Sequence, residues 1–273
     1  MSNQPVLKLK DGHSIPQIGL GVWKADDAQA AEAVRVALQA GYRHVDTAAI
    51  YGNEAGVGEG VRTAGVPREA VFVTTKLWND AQGTDSVRKA FDASLKRLGL
   101  DYVDLYLIHW PAPRKGLYLD TWRAFIRLKE EGLVRSIGVS NFHIPHLRRL
   151  FDHSDIRPAV NQIELHPSLQ QAELRAFHAE NGIATEAWSP LQRGAVNKPE
   201  IVAIASKHGR TPAQVILRWH VQLGNIAIPK SVTPSRIREN IAVFDFELDA
   251  ADMAAIASLD AGVRTGPNPD TFS

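Results

Sequence analysis

The sequence predicts a (β/α)₈ barrel, a TIM barrel in the α/β class, with an N-terminal β-hairpin and an extra C-terminal helix. Eight short apolar segments alternate with amphipathic ones along 273 residues, the order typical of repeated strand–helix units. No domain-sized linker interrupts them, so we predict a single domain over residues 1–273. An open doubly wound sheet is disfavoured, because "GLGVWK" has two glycines and then departs from the G-x-G-x-x-G pattern.

The elements follow in order from local patterns. "VLKLKDGHSIPQIG" reads as the hairpin, since Asp11-Gly12 is a turn pair between two alternating segments. The eight predicted strands cover 18–22, 42–46, 71–76, 103–109, 134–140, 159–162, 183–188 and 225–229.

Helix start signals support the segments between the strands. Asp27 is the predicted cap of the first helix, and Thr211 followed by Pro212 marks the start of a later one. A final helix, from Asp249 to Ser258, is predicted after the eighth unit.

Composition narrows the possible functions. An apolar fraction of 44%, a charged fraction of 22% and a net charge of +1 are those of a globular protein without a nucleic-acid or membrane partner. The absence of cysteine excludes thiolate and Cys-zinc chemistry. The start lacks a signal pattern and no stretch has ~20 apolar residues, so we expect a cytoplasmic protein. "HIPH" (143–146) lacks the glutamate of a zinc helix, so no metal site is predicted and its histidines are expected to pack or face solvent.

Polar residues stand where several predicted strands end. Asp46 ends one strand and Tyr51 follows it, while Lys76 and His109 end the next two. Each alone has an ordinary explanation as a cap, a solvated end or a packed core residue. Together they converge, because the C-terminal strand ends of a barrel form one face. Asp46 can neutralise a buried Lys76, and Lys76 is expected to lower the pKa of Tyr51, making it a proton donor to a carbonyl oxygen.

The remaining strand ends predict a place for a hydride-donating cofactor. Trp188 offers a flat face for stacking, and Ser140, Asn141 and Gln162 offer groups suited to a carboxamide. After the eighth strand, "IPKSVTPSRIREN" combines cationic side chains with a helix start, a favourable anion site.

Six ordered segments give the chain a specific resemblance. They are "GYRHVDTAAIYGNE", "VTTKLW", "LGLDYVDLYLIHWP", "EGLVRSIGVSNF", "NQIELHP" and "IPKSVTPSRIREN". The sequence resembles the aldo-keto reductase family over nearly its whole length, and within it the bacterial 2,5-diketo-D-gluconate reductases.

This resemblance implies a barrel enzyme that uses NADPH/NADP⁺ and a catalytic tetrad of Asp46, Tyr51, Lys76 and His109. The implied cofactor contacts are Ser140, Asn141, Gln162, Trp188, Ser189, Leu191, Lys230, Ser231, Val232, Thr233, Arg236, Glu239 and Asn240.

The expected partner is a small carbonyl substrate, and the expected state is a monomer. Trp23, Trp78 and Trp110 are candidates for the substrate pocket. The resemblance suggests small dicarbonyls, keto-sugar acids such as 2,5-diketo-gluconate, or aldehydes such as methylglyoxal. Two alternatives stay open: a Schiff-base aldolase using Lys76, and a nucleotide-sensing regulatory barrel with slow turnover.

Overall fold

The structure is a computed structural model that describes residues 4–192 and 194–273. Eight parallel strands form one sheet, in the order β10-β9-β8-β7-β6-β5-β4-β3. They are β3 (Leu20–Gly21), β4 (His44–Asp46), β5 (Phe72–Leu77), β6 (Val103–Ile108), β7 (Val134–Ser140), β8 (Val160–Glu164), β9 (Ala184–Trp188) and β10 (Ile226–Ala227).

The first and last strands meet and close the sheet. Parallel bridges join Ile18 to Ala227 and Gly21 to Lys230. Backbone hydrogen bonds run both ways across the seam, from Gly19 N to Ala227 O at 2.9 Å and from Ala227 N to Gln17 O at 2.8 Å. The predicted (β/α)₈ barrel is confirmed.

Within the described residues, ten α-helices accompany the strands. They are α1 (Asp27–Gln39), α2 (Glu54–Thr63), α3 (Asp85–Leu98), α4 (Tyr118–Glu130), α5 (Ile144–Phe151), α6 (Ala172–Asn181), α7 (Pro199–His208), α8 (Pro212–Gln222), α9 (Pro234–Ile241) and α10 (Ala250–Ala257). Thr211 caps α8 as predicted, and Asp249 caps the extra helix α10. The predicted cap of α1 is wrong by one residue: Asp26 forms the capping box with Gln29, while the Asp27 carboxylate accepts from Gly56 N at 2.7 Å.

The hairpin closes one end of the barrel. β1 (Val6–Lys8) pairs antiparallel with β2 (Ser14–Pro16). Leu9 and Ile15 from the hairpin share an apolar cluster with residues from the barrel strands, including Leu105 and Val160. Because apolar side chains of the described residues fill that end, a site is expected at the end formed by the strand C-termini.

The C-terminal segment returns to this barrel. Backbone N–H groups of Ala261 and Val263 both donate to Ser168 O, at 3.2 and 3.0 Å. Within 4–192 and 194–273, no helix is long and apolar enough to cross a membrane.

Candidate active site

A fully buried ion pair lies at the centre of the open end. Lys76 at the end of β5 donates to Asp46 Oδ1 at 2.5 Å and to Thr47 O at 2.9 Å. Asp46 is 1% exposed and Lys76 is 0% exposed. β4 and β5 are neighbours in the sheet, so the strand order itself brings the two charges together. Burial disfavours the ammonium, but the nearby acidic groups, Asp46 foremost, together more than offset this and raise the pKa of Lys76 above its ordinary value.

Tyr51 lies directly above this pair in a short 3-10 helix, Ala49–Tyr51. The Lys76 ammonium is 5.1 Å from the centre of its ring. Burial raises the pKa of the Tyr51 phenol above its ordinary value, and Lys76 offsets only part of that rise. The predicted lowering of this pKa is therefore wrong in net direction: Lys76 acts as predicted, but desolvation of the phenolate is the larger effect.

His109 completes the group. Its ring packs edge-on against Tyr51, with centres 5.7 Å apart, and against Trp78 at 5.1 Å. Burial and the nearby Lys76 charge hold the pKa of His109 well below its usual range. The ring is therefore neutral near pH 7. Its Nδ1 is buried and has no hydrogen-bond partner within the described chain, so the ring is not held in place by a hydrogen bond at this atom.

The three residues predicted to contact a carboxamide form one hydrogen-bonded cluster with Trp188, in which Ser140 Oγ donates to Gln162 O at 2.8 Å. Asn141 Nδ2 donates to His109 O and to Ser140 Oγ, both at 3.0 Å. Trp188 Nε1 donates to Asn141 Oδ1 at 2.8 Å. Gln162 Nε2 donates to Asp46 Oδ2 at 2.8 Å. The cluster is thus tied to the ion pair, and the indole ring of Trp188 is fixed by its own N–H.

The predicted phosphate region lies at the start of α9. Lys230 and Arg236 are exposed, and within the described residues neither has a carboxylate at ion-pair distance. Ser231 is buried and its Oγ accepts from Thr233 N at 3.1 Å. Helix α9 begins at Pro234, so its first N–H groups have no intrahelical partners. Two unneutralised cations beside free N–H groups fit a phosphate ester.

The other predicted contacts surround this helix. Glu239 accepts from Thr211 Oγ1 at 2.7 Å, so one of its oxygens joins α9 to α8. Asn240 is buried, whereas Val232, Ser189 and Leu191 are partly exposed.

Two of the three predicted pocket tryptophans, Trp78 and Trp110, both contact Phe272 near the C-terminus. The Phe272 ring lies 4.6 Å from that of Trp110 and 6.2 Å from that of Trp78, centre to centre. Trp23 is 51% exposed, and among the described residues the Lys24 ammonium lies over its ring at 4.4 Å. Phe272 was not among the predicted pocket residues, because nothing in the local sequence shows where the C-terminal segment returns.

The comparisons agree with this geometry. The profile of the Aldo/keto reductase family matches residues 17–261. The chain belongs to the aldo-keto reductase family. It is an NADPH-dependent oxidoreductase.

Relatives match this reductase over almost their whole length. An "Aldo-keto reductase" of Mycolicibacterium smegmatis is 58% identical over 98% of both chains. "Methylglyoxal reductase DkgA" of Yersinia pestis is 54% identical, covering 100% of this chain and 99% of that protein. The crystal structure of a Gox0644 variant in complex with NADPH superposes with a TM-score of 0.96 at 50% identity, with 100% of both chains covered.

Two further polar features of the reductase were missed. Below the ion pair, Glu186 and His44 point into the barrel, both 0% exposed. Glu186 lies two positions before Trp188, and His44 lies two positions before Asp46. Because every second side chain of a strand points to the same side, this spacing could have predicted both residues.

The second missed feature holds the C-terminal strap, residues 264–266. Glu164 at the end of β8 accepts from Thr265 N at 2.7 Å and from Gly266 N at 3.1 Å. A Cβ added to Gly266 would lie 2.4 Å from Cη2 of Trp188, so the strap backbone packs directly on that ring. Further along, His143 of "HIPH" contacts Asp270 at 2.9 Å, so this histidine packs as expected, but against the tail.

Proposed function

We propose that this reductase converts small aldehydes and ketones to alcohols with NADPH, with Tyr51 as the proton donor. One observation carries the proposal: the partly exposed Tyr51 stands over a fully buried ammonium–carboxylate pair, at the barrel end opposite the hairpin. The substrates that we propose are dicarbonyls such as methylglyoxal and keto-sugar acids such as 2,5-diketo-gluconate.

The protein's part in the reaction is to position the carbonyl and supply a proton. Neutral His109 hydrogen-bonds the carbonyl oxygen and directs it toward the Tyr51 hydroxyl. Tyr51 donates its proton as negative charge develops on that oxygen. Lys76 stabilises the resulting phenolate, and Asp46 keeps the Lys76 charge in place without exposing it to water. NADPH, when bound, supplies the hydride.

The residues around the mouth fit this cofactor. Ser140, Asn141 and Gln162 hold the carboxamide, and Trp188 stacks on the nicotinamide ring. Lys230, Ser231 and Arg236 hold the 2′-phosphate, with Val232 and Thr233 contributing backbone groups.

In this proposal Glu239 and Asn240 lie near the adenine. Ser189 and Leu191 line the part of the site between the nicotinamide and the adenine ends of the cofactor. In its favour, an NADPH complex is known for the neighbour Gox0644.

The substrate class rests on the pocket and on the relatives. Trp78, Trp110 and Phe272 form an aromatic wall beside His109. Such a wall accepts the apolar face of a small carbonyl compound while His109 and Tyr51 bind its oxygen. Relatives at 51–54% identity are named methylglyoxal reductases.

The aldolase alternative is less compatible with the site. A Schiff-base lysine must lose its proton to attack a carbonyl. Here Asp46 holds the pKa of Lys76 above its ordinary value, so the amine is an ammonium at neutral pH. The sensor alternative is distinguished by turnover alone. The monomeric state, the single domain and the cytoplasmic location stay predictions.

The test replaces Tyr51 by phenylalanine and follows NADPH oxidation with methylglyoxal, 2,5-diketo-gluconate and an aromatic aldehyde. Only the phenolic proton is removed, so turnover should fall about 10²- to 10⁴-fold, while the NADPH dissociation constant should change little. Tyr102→Phe serves as the matched control, because it removes the same hydroxyl from a tyrosine just before β6, at the opposite end of the barrel. Near wild-type turnover in Tyr51→Phe would exclude Tyr51 as the donor, and no turnover of any carbonyl by the wild type would favour the sensor.

A further inference from the structure

A second carboxyl group lies inside the barrel, one layer below the tetrad. Glu186 is on β9, directly beside Gln162 of β8 in the strand register. Its side chain has no exposed surface. Its Oε2 accepts from Gln162 Nε2 at 3.0 Å, and its Oε1 lies 3.5 Å from His44 Nε2 across the barrel.

Glu186 and Asp46 share one amide group. Gln162 Nε2 donates to Asp46 Oδ2 at 2.8 Å and to Glu186 Oε2 at 3.0 Å. A primary amide nitrogen has two hydrogens, so both are used. The rotation of the amide is thereby fixed, and its Oε1 is the polar atom left to accept a hydrogen bond from a ligand at the barrel mouth.

The charges around Glu186 do not balance if it is ionised. Lys76 is already paired with Asp46. Burial lowers the pKa of His44 to about 3, so His44 supplies no positive charge near neutral pH. An ionised Glu186 would therefore be a buried anion beside a second one. Burial and Asp46 raise its pKa to about 8, so it is mainly a neutral acid at pH 7.

We propose that Glu186 is a positioning residue for carbonyl reduction: with Asp46 it holds both amide hydrogens of Gln162, so that Gln162 presents its carbonyl oxygen to the cofactor carboxamide. The inference rests on the proposed function and assigns a role in it to the buried Glu186 carboxyl group beneath the tetrad.

The same arrangement couples Glu186 to proton donation. The titratable groups that face it are Asp46 and His44 from β4, Lys76 from β5 and Tyr51 above them. A negative charge on Glu186 raises the pKa of Tyr51. Reduction needs the protonated phenol, so ionisation of Glu186 in alkaline solution keeps Tyr51 competent to a higher pH. Removal of this charge makes Tyr51 lose its proton at lower pH.

Two variants separate the positioning of the Gln162 amide from the effect of a negative charge on Glu186. Glu186→Gln keeps an oxygen acceptor for Gln162 but never ionises. Its NADPH dissociation constant, measured by tryptophan fluorescence, should stay within about 2-fold of wild type, and the alkaline limb of kcat should move to lower pH. Glu186→Leu removes the acceptor, so NADPH binding should weaken about 2- to 12-fold, the contribution of one neutral hydrogen bond.

A third readout needs no cofactor and no turnover. In infrared spectra of the free protein, wild type should show a carboxylic-acid carbonyl band at pH 7 that disappears on titration to alkaline pH. The band should be absent from Glu186→Gln. It should persist in the control Glu164→Gln, because hydrogen bonds to Glu164 hold the pKa of that neighbouring buried carboxyl at about 2, against the effect of its burial.

The outcomes distinguish this inference from the proposed function. If Tyr51→Phe remains active, the proposed function is wrong whatever Glu186 does. If Tyr51→Phe is inactive, but Glu186→Leu binds NADPH as wild type does and Glu186→Gln has an unmoved pH profile, only the role of Glu186 is refuted. A carbonyl band that survives in Glu186→Gln would also overturn it, since the neutral acid would then be another residue.

Discussion

Replacing Glu164 by glutamine should loosen the C-terminal strap and do so in a pH-dependent manner. The carboxylate accepts from Thr265 N at 2.7 Å, Thr265 Oγ1 at 2.5 Å and Gly266 N at 3.1 Å. Arg264 adds a longer contact of 3.4 Å. Glutamine keeps one acceptor oxygen, removes the charge and turns an N–H group toward donors that then have no partner.

The magnitude follows from the pKa of Glu164. Burial raises it, but hydrogen bonds from His166, Thr265 and Gly266 lower it further, from 4.5 to about 2. The side chain is 0% exposed, so solvent screening is small. At about 1.36 kcal/mol per tenfold change in the acid constant, a pKa lowered from 4.5 to about 2 corresponds to about 3 kcal/mol of stability in favour of the ionised form.

The direction of the Glu164 pKa shift decides the pH range in which this stability is lost. The folded pKa is depressed, so the contribution is complete above pH 4.5 and is lost as the pH falls toward 2. Urea unfolding of wild type and Glu164→Gln should therefore differ by about 3 kcal/mol at pH 7 and by roughly half of that at pH 3. An equal difference at both pH values would refute the assignment of this stability to the ionised carboxylate.

The strap also carries Phe272 to the pocket, which gives a second readout. In Glu164→Gln the KM for carbonyl substrate should rise, and the tail should become sensitive to carboxypeptidase. The matched control is Asp270→Asn in the same tail. Asp270 is 53% exposed in its contact with His143, so its loss should cost under about 1 kcal/mol.

The remaining predictions concern the tetrad and the cofactor. Lys76→Met leaves the buried Asp46 carboxylate without its counter-ion, so it should destabilise the fold by about 3–5 kcal/mol. It should also move the pH–rate limb that reports Tyr51 to higher pH; an unmoved limb would show that Lys76 does not act on the phenol. NADPH should quench tryptophan fluorescence, and Trp188→Ala should remove much of the quench, whereas an unchanged quench would mean that Trp188 does not stack on the nicotinamide. Arg236→Ala should weaken NADPH binding about 10- to 150-fold, the contribution of a charged hydrogen bond, and NADH binding much less; equal losses for both would contradict the phosphate contact.

Much of the barrel was predictable because its elements are local patterns. The eight strands, the cap at Thr211 and the presence of the final helix come from periodicity and start signals that span a few residues. The cap of α1 was misplaced because Asp26 and Asp27 are adjacent carboxylates, and only the backbone geometry shows which one precedes the helix.

The tetrad was predictable for a related reason. Strand order in a barrel follows chain order, so polar residues at successive strand ends must meet. The same rule, applied to the residues two positions earlier in each strand, would have predicted His44 and Glu186, since a strand directs every second side chain inward. What the rule could not supply is the net pKa direction of Tyr51, which depends on how burial and nearby charges balance.

The sequence by itself determined the class of fold and the residues that meet at the barrel mouth, because both follow from short-range periodicity and from the fixed order of parallel strands. Tertiary structure alone decided which residues far apart in the chain share a hydrogen bond. Gln162 and Asp46 are 116 positions apart, and Glu164 and Thr265 are 101 apart. No local pattern encodes such pairs, because they exist only once the sheet has closed and the tail has folded back over it.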